Sequence, residues 1–271
     1  MTELKNSELK VIYILGQPHS GSTIFSTWMS SFFTVHYLGE LYFFNKDFND
    51  DRPCSCERKL CECPIWKPIF KEVSKIAKAN ILNNRVQFML NVQLNCHKKL
   101  QLEIKNQYGK ILNVLSSSQQ HPGIFIDSSK SIDFLKVILQ TGVQIELVYL
   151  RRNLRDVFRS LIIRPKKYSK FGRLKLLVVT LGLIWRDIRF HYFFKKWKGL
   201  KSEVDFDDLI ALSNDQKIQY LQDKIHTLKS VPRGIGISHL FSGNRKVITN
   251  RSFENNNETA WQKIIGDIFF K

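Results

Sequence analysis

The sequence contains no apolar run long enough to cross a membrane. Its longest hydrophobic stretch, Leu176 to Trp185, has ten residues between Lys175 and Arg186, whereas a spanning helix needs roughly 20. The first ten residues also lack the apolar centre of a secretory signal. We therefore expect a cytoplasmic protein. The basic and apolar stretch Phe171 to Lys198 fits either a buried helix or one in peripheral contact with a membrane.

Acidic residues are scarce. The chain has 24 Asp and Glu against 42 Lys and Arg, which gives a formal net charge of +18. Such an excess favours polyanionic partners, although a solvated basic surface has the same composition. The basic residues do not interleave with aromatic residues in the pattern of an OB or RRM domain, so we expect no nucleic acid partner. The hydrophobic content of 43% excludes a largely disordered chain.

Cysteine is rare outside one short segment. Four of the five cysteines follow the spacing C-x-C-x4-C-x-C, at Cys54, Cys56, Cys61 and Cys63, and Cys96 stands alone. Paired zinc ligands usually have two or more residues between them, and a cytoplasmic location disfavours disulfides. Zinc, disulfides and a loop without metal all stay open for this motif.

No internal repeat and no Gly/Ser-rich or Pro-rich linker divides the chain, so we predict a single domain over residues 1–271. A polar, Cys-rich and helical region at about 45–110 is interpreted as an insertion. Apolar, β-branched runs predict strands at Lys10–Leu15, Val35–Leu38, Gly123–Asp127 and Gln144–Leu150. Helical patterns lie at Thr23–Phe33, Trp66–Tyr108, Ser131–Gln140, Leu154–Ile163, Lys175–Lys198, Phe206–Leu212, Asp215–Leu228 and Ala260–Phe270. This alternation predicts an α/β fold with a mostly parallel central sheet and helices on both faces.

The clearest local motif follows the first strand. Gly16 to Thr23 reads GQPHSGST, a loop of small residues that leads into a helix. Such a loop directs backbone N–H groups at an anion, and the helix N-terminus adds positive charge. The spacing matches the Walker A motif except that Ser22 replaces the lysine, which leaves His19 as the candidate cation. A glycine-rich turn without a ligand is the alternative interpretation.

A second candidate anion site follows the strand that ends at Leu150. Residues Arg152 to Ser160 read RNLRDVFRS, and an arginine fork with a helix hydroxyl can clamp a phosphate. An exposed basic helix face is the alternative. Ligands of parallel sheets bind beyond the carboxyl ends of the strands. We therefore expect this motif, the first loop and the residues after Ile126 to share one crevice.

Together, the two motifs resemble those of the PAPS-dependent sulfotransferases, where PAPS is 3′-phosphoadenosine 5′-phosphosulfate. The resemblance implies a P-loop-like three-layer fold. It also implies transfer of a sulfuryl group from PAPS to a hydroxyl or amine, with release of PAP (3′-phosphoadenosine 5′-phosphate). His19 fits a bacterial branch with a G-H-S-G-S-T loop. By this resemblance, Ser20, Gly21, Ser22 and Thr23 hold the 5′-phosphosulfate, and Arg152 and Ser160 hold the 3′-phosphate.

Three further segments resemble the bacterial branch. Leu38 to Phe44, LGELYFF, resembles the segment that carries a catalytic glutamate, which implies Glu40 as the general base. The cysteine motif resembles a Cys-rich insertion. His239 to Arg245 resembles a late loop over the nucleotide's 3′-phosphate end, which implies roles for Gly243, Asn244 and Arg245. One departure is that Asn257 and Glu258 precede the last tryptophan, Trp261, where the family has an aspartate.

For the chemistry, we predict Glu40 as the base, with Asp127 and His36 as alternatives. Lys130 follows the third strand and is expected to stabilise the sulfonate oxygens or the leaving phosphate. No metal is required, because cationic side chains and N–H groups can balance the charge. The acceptor stays open among a saccharide, a lipid, a small alcohol and a protein tyrosine.

Two other functions fit parts of the sequence. One is a P-loop kinase-like phosphotransferase that uses ATP and magnesium, with Asp127 on the metal, although the missing Walker lysine disfavours it. The other is a non-enzymatic protein that binds nucleic acid or anionic lipid through its positive charge.

Overall fold

A computed structural model describes residues 9–44, 53–69, 98–117, 123–162 and 173–238. The strands are β1 (Lys10–Gly16), β2 (His36–Tyr37), β3 (Ile124–Asp127), β4 (Gln144–Arg151), β5 (Lys201–Asp205) and β6 (Ile237–Ser238). The helices are α1 (Ser22–Phe32), α2 (Lys98–Ser117), α3 (Ile132–Ile138), α4 (Leu154–Ile162), α5 (Arg173–Lys196), α6 (Phe206–Ile210) and α7 (Asn214–Lys224). Short 3-10 turns lie at Leu41–Phe43, Leu139–Thr141 and His226–Ser230.

The described strands form one sheet in the order β5-β4-β1-β3-β2-β6. Every pair of neighbouring strands is parallel. β1 lies near the centre and pairs with β4 along its whole length, from Lys10 opposite Gln144 to Gly16 opposite Leu150. The predicted α/β fold with a parallel sheet is confirmed. Because the strands run in the same direction, the segments after β1, β2, β3 and β4 lie along the same edge.

Both faces of the sheet are covered, which makes three layers. Alternate side chains of β1 enter different apolar clusters: Val11, Tyr13 and Leu15 point to one face, and Ile12 and Ile14 point to the other. Helices α2, α3 and α5 contribute to the first cluster. Helices α1, α6 and α7 contribute to the second. Buried on both faces, β1 and β4 are almost continuously apolar, as central parallel strands usually are.

The prediction missed strand β5 and misplaced the ends of two helices. β5 was missed because its sequence, KSEVD, is mostly polar. It is an edge strand of the sheet and pairs only with β4 among the described strands. The helix predicted to end at Tyr108 continues to Ser117, since Ile111, Leu112 and Leu115 extend its buried side. The helix predicted to run to Leu228 ends at Lys224. There the buried carboxylate of Glu146 accepts hydrogen bonds from the N–H groups of His226 and Thr227, at 2.8 and 2.7 Å, and a separate 3-10 turn begins.

The region interpreted as an insertion joins the main core where the structure describes it. Cys54, Leu60 and Trp66 from residues 53–69 belong to the first apolar cluster, as does Tyr108 from α2. The predicted helix Ala260–Phe270 and Cys96 lie outside the described residues.

Helix α5 is buried on one side and exposed on the other. Leu183, Phe190 and Phe194 are buried, whereas Trp185 and Ile188 are exposed. Of the helices that the structure describes, none combines the length and the apolar character that crossing a membrane requires. The buried side of α5 fits the buried helix that the sequence predicted, and peripheral contact with a membrane stays a prediction.

Candidate nucleotide-binding site

The loop between β1 and α1 is tightly packed around two glycines. A Cβ at Gly16 would lie 2.7 Å from the carbonyl oxygen of Leu150, so β1 and β4 approach too closely for a side chain there. Gly21 has a left-handed φ of 83° and precedes α1. The ring of Phe206 leaves no space for a side chain at Gly21, because a Cβ there would lie 2.3–2.6 Å from three ring atoms. Phe206 in turn stacks on Trp28 of α1 at 5.8 Å.

Replacing Gly21 by Ala is expected to destabilise the protein more than replacing Gly142. Both glycines have nearly the same left-handed φ, 83° and 82°, which costs an alanine about 1–2 kcal/mol. A Cβ at Gly142 would meet no atom within 4 Å, whereas one at Gly21 would overlap Phe206. Urea unfolding of the two variants separates the cost of the clash from the cost of the backbone. Equal losses would contradict the close packing of Phe206 on the loop.

The turn leaves the first main-chain N–H groups of α1 without a side-chain cap. Gly21 begins α1 without a side chain that could cap it, and the first N–H groups of a helix have no acceptor within the helix. Ser20, Ser22 and Thr23 are all buried. The Ser20 hydroxyl has no hydrogen-bond partner among the residues that the structure describes. A buried hydroxyl left without a partner costs about 1–3 kcal/mol, so an acceptor at this place would stabilise the loop.

Arg152 and Ser160 lie directly against this loop. The Arg152 Nη1 donates a hydrogen bond to the carbonyl oxygen of His19 at 2.9 Å. The hydroxyl of Ser160, in α4, is 3.3 Å from Nδ1 of the same histidine. His19 therefore contacts the second motif twice, through its carbonyl oxygen and through its imidazole. The predicted crevice brings together the end of β1 and the end of β4, as the parallel register requires.

The guanidinium of Arg152 is held on several sides. Only 8% of its side chain is exposed. Its Nε lies 3.7 Å from a carboxylate oxygen of Asp207, and its Cζ is 5.4 Å from the centre of the Phe206 ring. Burial lowers the pKa of Arg152, and the nearby carboxylates of Asp207 and Asp156 partly offset that change. Even so lowered, a guanidinium stays charged at neutral pH, so the crevice contains a desolvated, permanent cation.

Glu40 and Lys130 form an ion pair at the same edge of the sheet. Lys130 Nζ donates to Glu40 Oε1 at 2.7 Å, and each side chain is 15% exposed. The segment before Glu40 is fixed to the end of β3, since the N–H of Ser128 donates to the carbonyl oxygen of Gly39 at 2.9 Å. Lys130 has a φ of 57°, a strained conformation for a residue with a side chain. This partly buried pair joins the predicted base, Glu40, to Lys130, which was also predicted to act in catalysis beside His19.

Asp127, at the end of β3, is fully buried. One carboxylate oxygen accepts hydrogen bonds from the N–H and the hydroxyl of Ser129, and the other accepts one from the Tyr108 hydroxyl at 3.2 Å. Burial raises the pKa of Asp127 to about 7, and the Glu40 carboxylate adds to the rise, although the hydrogen bonds lower it. With both oxygens bound inside the protein, this arrangement disfavours Asp127 as the general base and as a magnesium ligand.

The raised pKa of Asp127 should make the stability fall as the pH rises. In the unfolded chain this carboxyl titrates near 3.8, so between about pH 4 and pH 7 only the folded protein keeps the proton. The stabilisation is complete below about pH 4 and declines towards pH 7 by up to ~1.4 kcal/mol per pH unit. Asp127→Asn cannot ionise and should lack this decline. The measurement is the free energy of unfolding of both proteins in urea between pH 5 and pH 8. The value for Asp127→Asn minus that for the wild type should increase with pH up to about pH 7. A difference that stays constant over this range would contradict the raised pKa of Asp127.

The comparisons with known proteins find little. No protein-family model matches the sequence, and no curated protein matches it. Among solved structures, a search finds this chain similar to a candidate plasmid partition protein of Borrelia burgdorferi B31 bound to AMPPNP. The match has 13% identity and a TM-score of 0.33, over 97% of this chain and 99% of the other. A TM-score this low carries no conclusion about function.

The remaining predicted residues fall elsewhere. His36 is buried in β2, and its ring packs against that of Phe125 at 5.5 Å. It therefore lies within a strand and not in the segment that follows the strand. Cys54, Cys56 and Cys63 form a group of their own. Gly243, Asn244 and Arg245 lie outside the described residues.

Sequence reasoning missed several residues of the site. Phe206 and Asp207 follow β5, the strand that was also missed, and both touch the crevice. Asp207 additionally accepts a hydrogen bond from the N–H of Asn153 at 2.8 Å. Gln17 is a third example: its side-chain amide donates to the carbonyl oxygen of Leu183 in α5 at 2.9 Å. For Phe206 and Asp207, the sequence offered one sign of their position: Asp205 can cap the helix that begins at Phe206.

Proposed function

We propose that this protein is a PAPS-dependent sulfotransferase. The observation that carries the proposal is the contact between the two anion motifs, in which Arg152 donates to the carbonyl of His19 and Ser160 lies beside the His19 ring. A nucleotide with phosphates at both its 5′ and 3′ ends needs two such anion sites within one crevice. An ordinary nucleoside triphosphate needs only one.

The loop suits the 5′ end of this donor. The N-terminus of α1 and the N–H groups of the loop would face the phosphosulfate, and the buried Ser20 hydroxyl would gain an acceptor. Arg152 and Ser160 would hold the 3′-phosphate, where a planar guanidinium can bind two oxygens at once. The His19 ring would be close to both ends of the donor.

Glu40 and Lys130 suit the transfer step. The acceptor oxygen attacks sulfur, the bond from sulfur to the 5′-phosphate oxygen breaks, and the acceptor proton passes to Glu40. Lys130, 2.7 Å from Glu40, orients the carboxylate before the reaction. Once Glu40 is protonated, the ammonium group is available to the charge that develops on the leaving PAP. In-line positioning and charge stabilisation supply most of the acceleration in related group transfers.

The direct test is transfer of label from sulfur-labelled PAPS to a fractionated cell lysate by the purified protein. We expect PAP release together with label in a discrete acceptor fraction. Absence of PAP release above a no-enzyme control across all fractions would overturn the proposal.

The second candidate is a kinase-like phosphotransferase that uses ATP and magnesium. It is favoured by the strand–loop–helix unit with glycines at the Walker A positions, and by Asp127 at the end of the neighbouring strand β3, where a Walker B aspartate would lie. Ser22 in place of lysine and the internal hydrogen bonds of Asp127 disfavour it. Thermal unfolding with PAP and with ATP plus magnesium separates the two, because only the cognate nucleotide should raise the melting temperature strongly.

A further inference from the structure

Three cysteines of the segment 53–69 converge on one point. The Sγ atoms of Cys54, Cys56 and Cys63 all lie within 4.8 Å of one another. Cys54 and Cys63 are buried and Cys56 is half-buried. The fourth cysteine of the segment, Cys61, is not part of this group. All four are present as thiols within the described part of the chain. We propose that Cys54, Cys56 and Cys63 bind one zinc ion.

The spacing of the sulfur atoms suits a metal better than a disulfide. Zinc binds thiolates tetrahedrally at about 2.3 Å, which places neighbouring sulfurs about 3.8 Å apart. The Sγ atoms of Cys54 and Cys63 are 3.6 Å apart, whereas a disulfide would bring them to about 2.05 Å. Thiolate-rich sites select zinc over magnesium, calcium and manganese, which prefer oxygen ligands. Three thiolates would leave the fourth tetrahedral position of a bound zinc to a water molecule.

A short hairpin assembles this thiol group. The N–H of Cys54 donates to the carbonyl oxygen of Arg58 at 2.8 Å, and Pro53 forms a bridge with Lys59. Glu57 turns the chain with a φ of 66°. The N–H of Cys63 then donates to the carbonyl oxygen of Lys59 at 2.9 Å, which returns Cys63 to Cys54. The ligands thus meet across a turn, and the unusual C-x-C spacing does not prevent a shared centre.

The segment with the proposed zinc site packs against the segment that follows Glu40. Cys54 and Cys63 belong to the same apolar cluster as Leu41 and Tyr42, which directly follow Glu40. The ring of Trp66, three residues after Cys63, packs against that of Phe44 at 5.8 Å. All three ligands come from the hairpin, so a bound zinc would hold the hairpin closed and stabilise its packing in this cluster. The site itself does not depend on sulfuryl transfer.

The test is the zinc content of the full chain, purified under reducing conditions, supplied with zinc and freed of loosely bound metal. We expect about one zinc per chain, and thiolate-to-metal charge-transfer absorption when cobalt replaces zinc. Cys56→Ser, at the most accessible ligand, should lose zinc affinity by more than the roughly 10–100-fold that loss of an outer-shell partner costs. Cys61→Ser is the matched control and should keep the full zinc content.

Stability supplies the second readout. A strong chelator should lower the melting temperature of the wild type and of Cys61→Ser, and should change that of Cys56→Ser little, because that variant has no zinc to lose. Circular dichroism shows whether Cys56→Ser folds. A wild type that binds no zinc, a Cys61→Ser variant that loses zinc as fully as Cys56→Ser, or a disulfide between Cys54 and Cys63 found by peptide mass would each overturn the proposal.

Discussion

Arg152→Ala is expected to weaken the binding of PAP by about 2–5 kcal/mol, or roughly 30- to 5000-fold in Kd. The guanidinium is 8% exposed and fixed by the carbonyl of His19 and the carboxylate of Asp207, and a water molecule in its place would not supply its charge. Its loss would remove a charge-assisted partner of the 3′-phosphate and the hydrogen bond that holds the loop. Isothermal titration calorimetry measures the change.

Arg155→Ala is the matched control for this variant. Arg155 lies three positions along the same motif and is exposed, so its removal lowers the net charge equally without touching the crevice. Its effect on PAP binding should stay within the small range of a screened surface charge. Equal losses for the two variants would show that PAP responds only to overall charge.

Glu40→Gln is expected to leave PAP binding intact and to lower the rate of sulfuryl transfer by about 10²–10⁴-fold, the usual contribution of a general base. The amide keeps the shape of the side chain and can still accept the hydrogen bond from Lys130, but it cannot take a proton from the acceptor. The readout is label transferred from PAPS to the acceptor fraction, with binding measured separately.

Glu203→Gln provides the comparison for Glu40. Glu203 also accepts from a cation, Arg151, at 2.8 Å, but both side chains are largely solvated at the outside of the sheet. The variant should retain full transfer activity. Full activity in Glu40→Gln would remove that residue from the role of base and leave the ion pair with Lys130 as a structural feature.

The central strands and both anion motifs could be predicted from the sequence for a simple physical reason. β1 and β4 are buried on both faces, so they read as continuous apolar runs, and each ends where a glycine or an arginine begins a polar segment. Parallel pairing then implies that the two ends are neighbours. The contact between Arg152 and His19 follows from that register.

The rest of the site depended on tertiary packing. β5 is too polar to be recognised as a strand, so Phe206 and its contact with Gly21 could not be anticipated. The sequence placed Asp127 at a strand end in the crevice, but the Tyr108 hydroxyl that binds it comes from α2, which lay within the region interpreted as an insertion. The convergence of three cysteines also required the turn at Glu57, which local spacing does not show.

The most direct measurement is the affinity of the wild-type protein for PAP compared with 5′-AMP, which differs only by lacking the 3′-phosphate. If the loop after β1 and the segment from Arg152 to Ser160 hold the two ends of one nucleotide, PAP should bind at least about 30-fold more tightly, the lower limit for losing a partner of a buried charge. Equal Kd values for the two nucleotides would contradict a shared site.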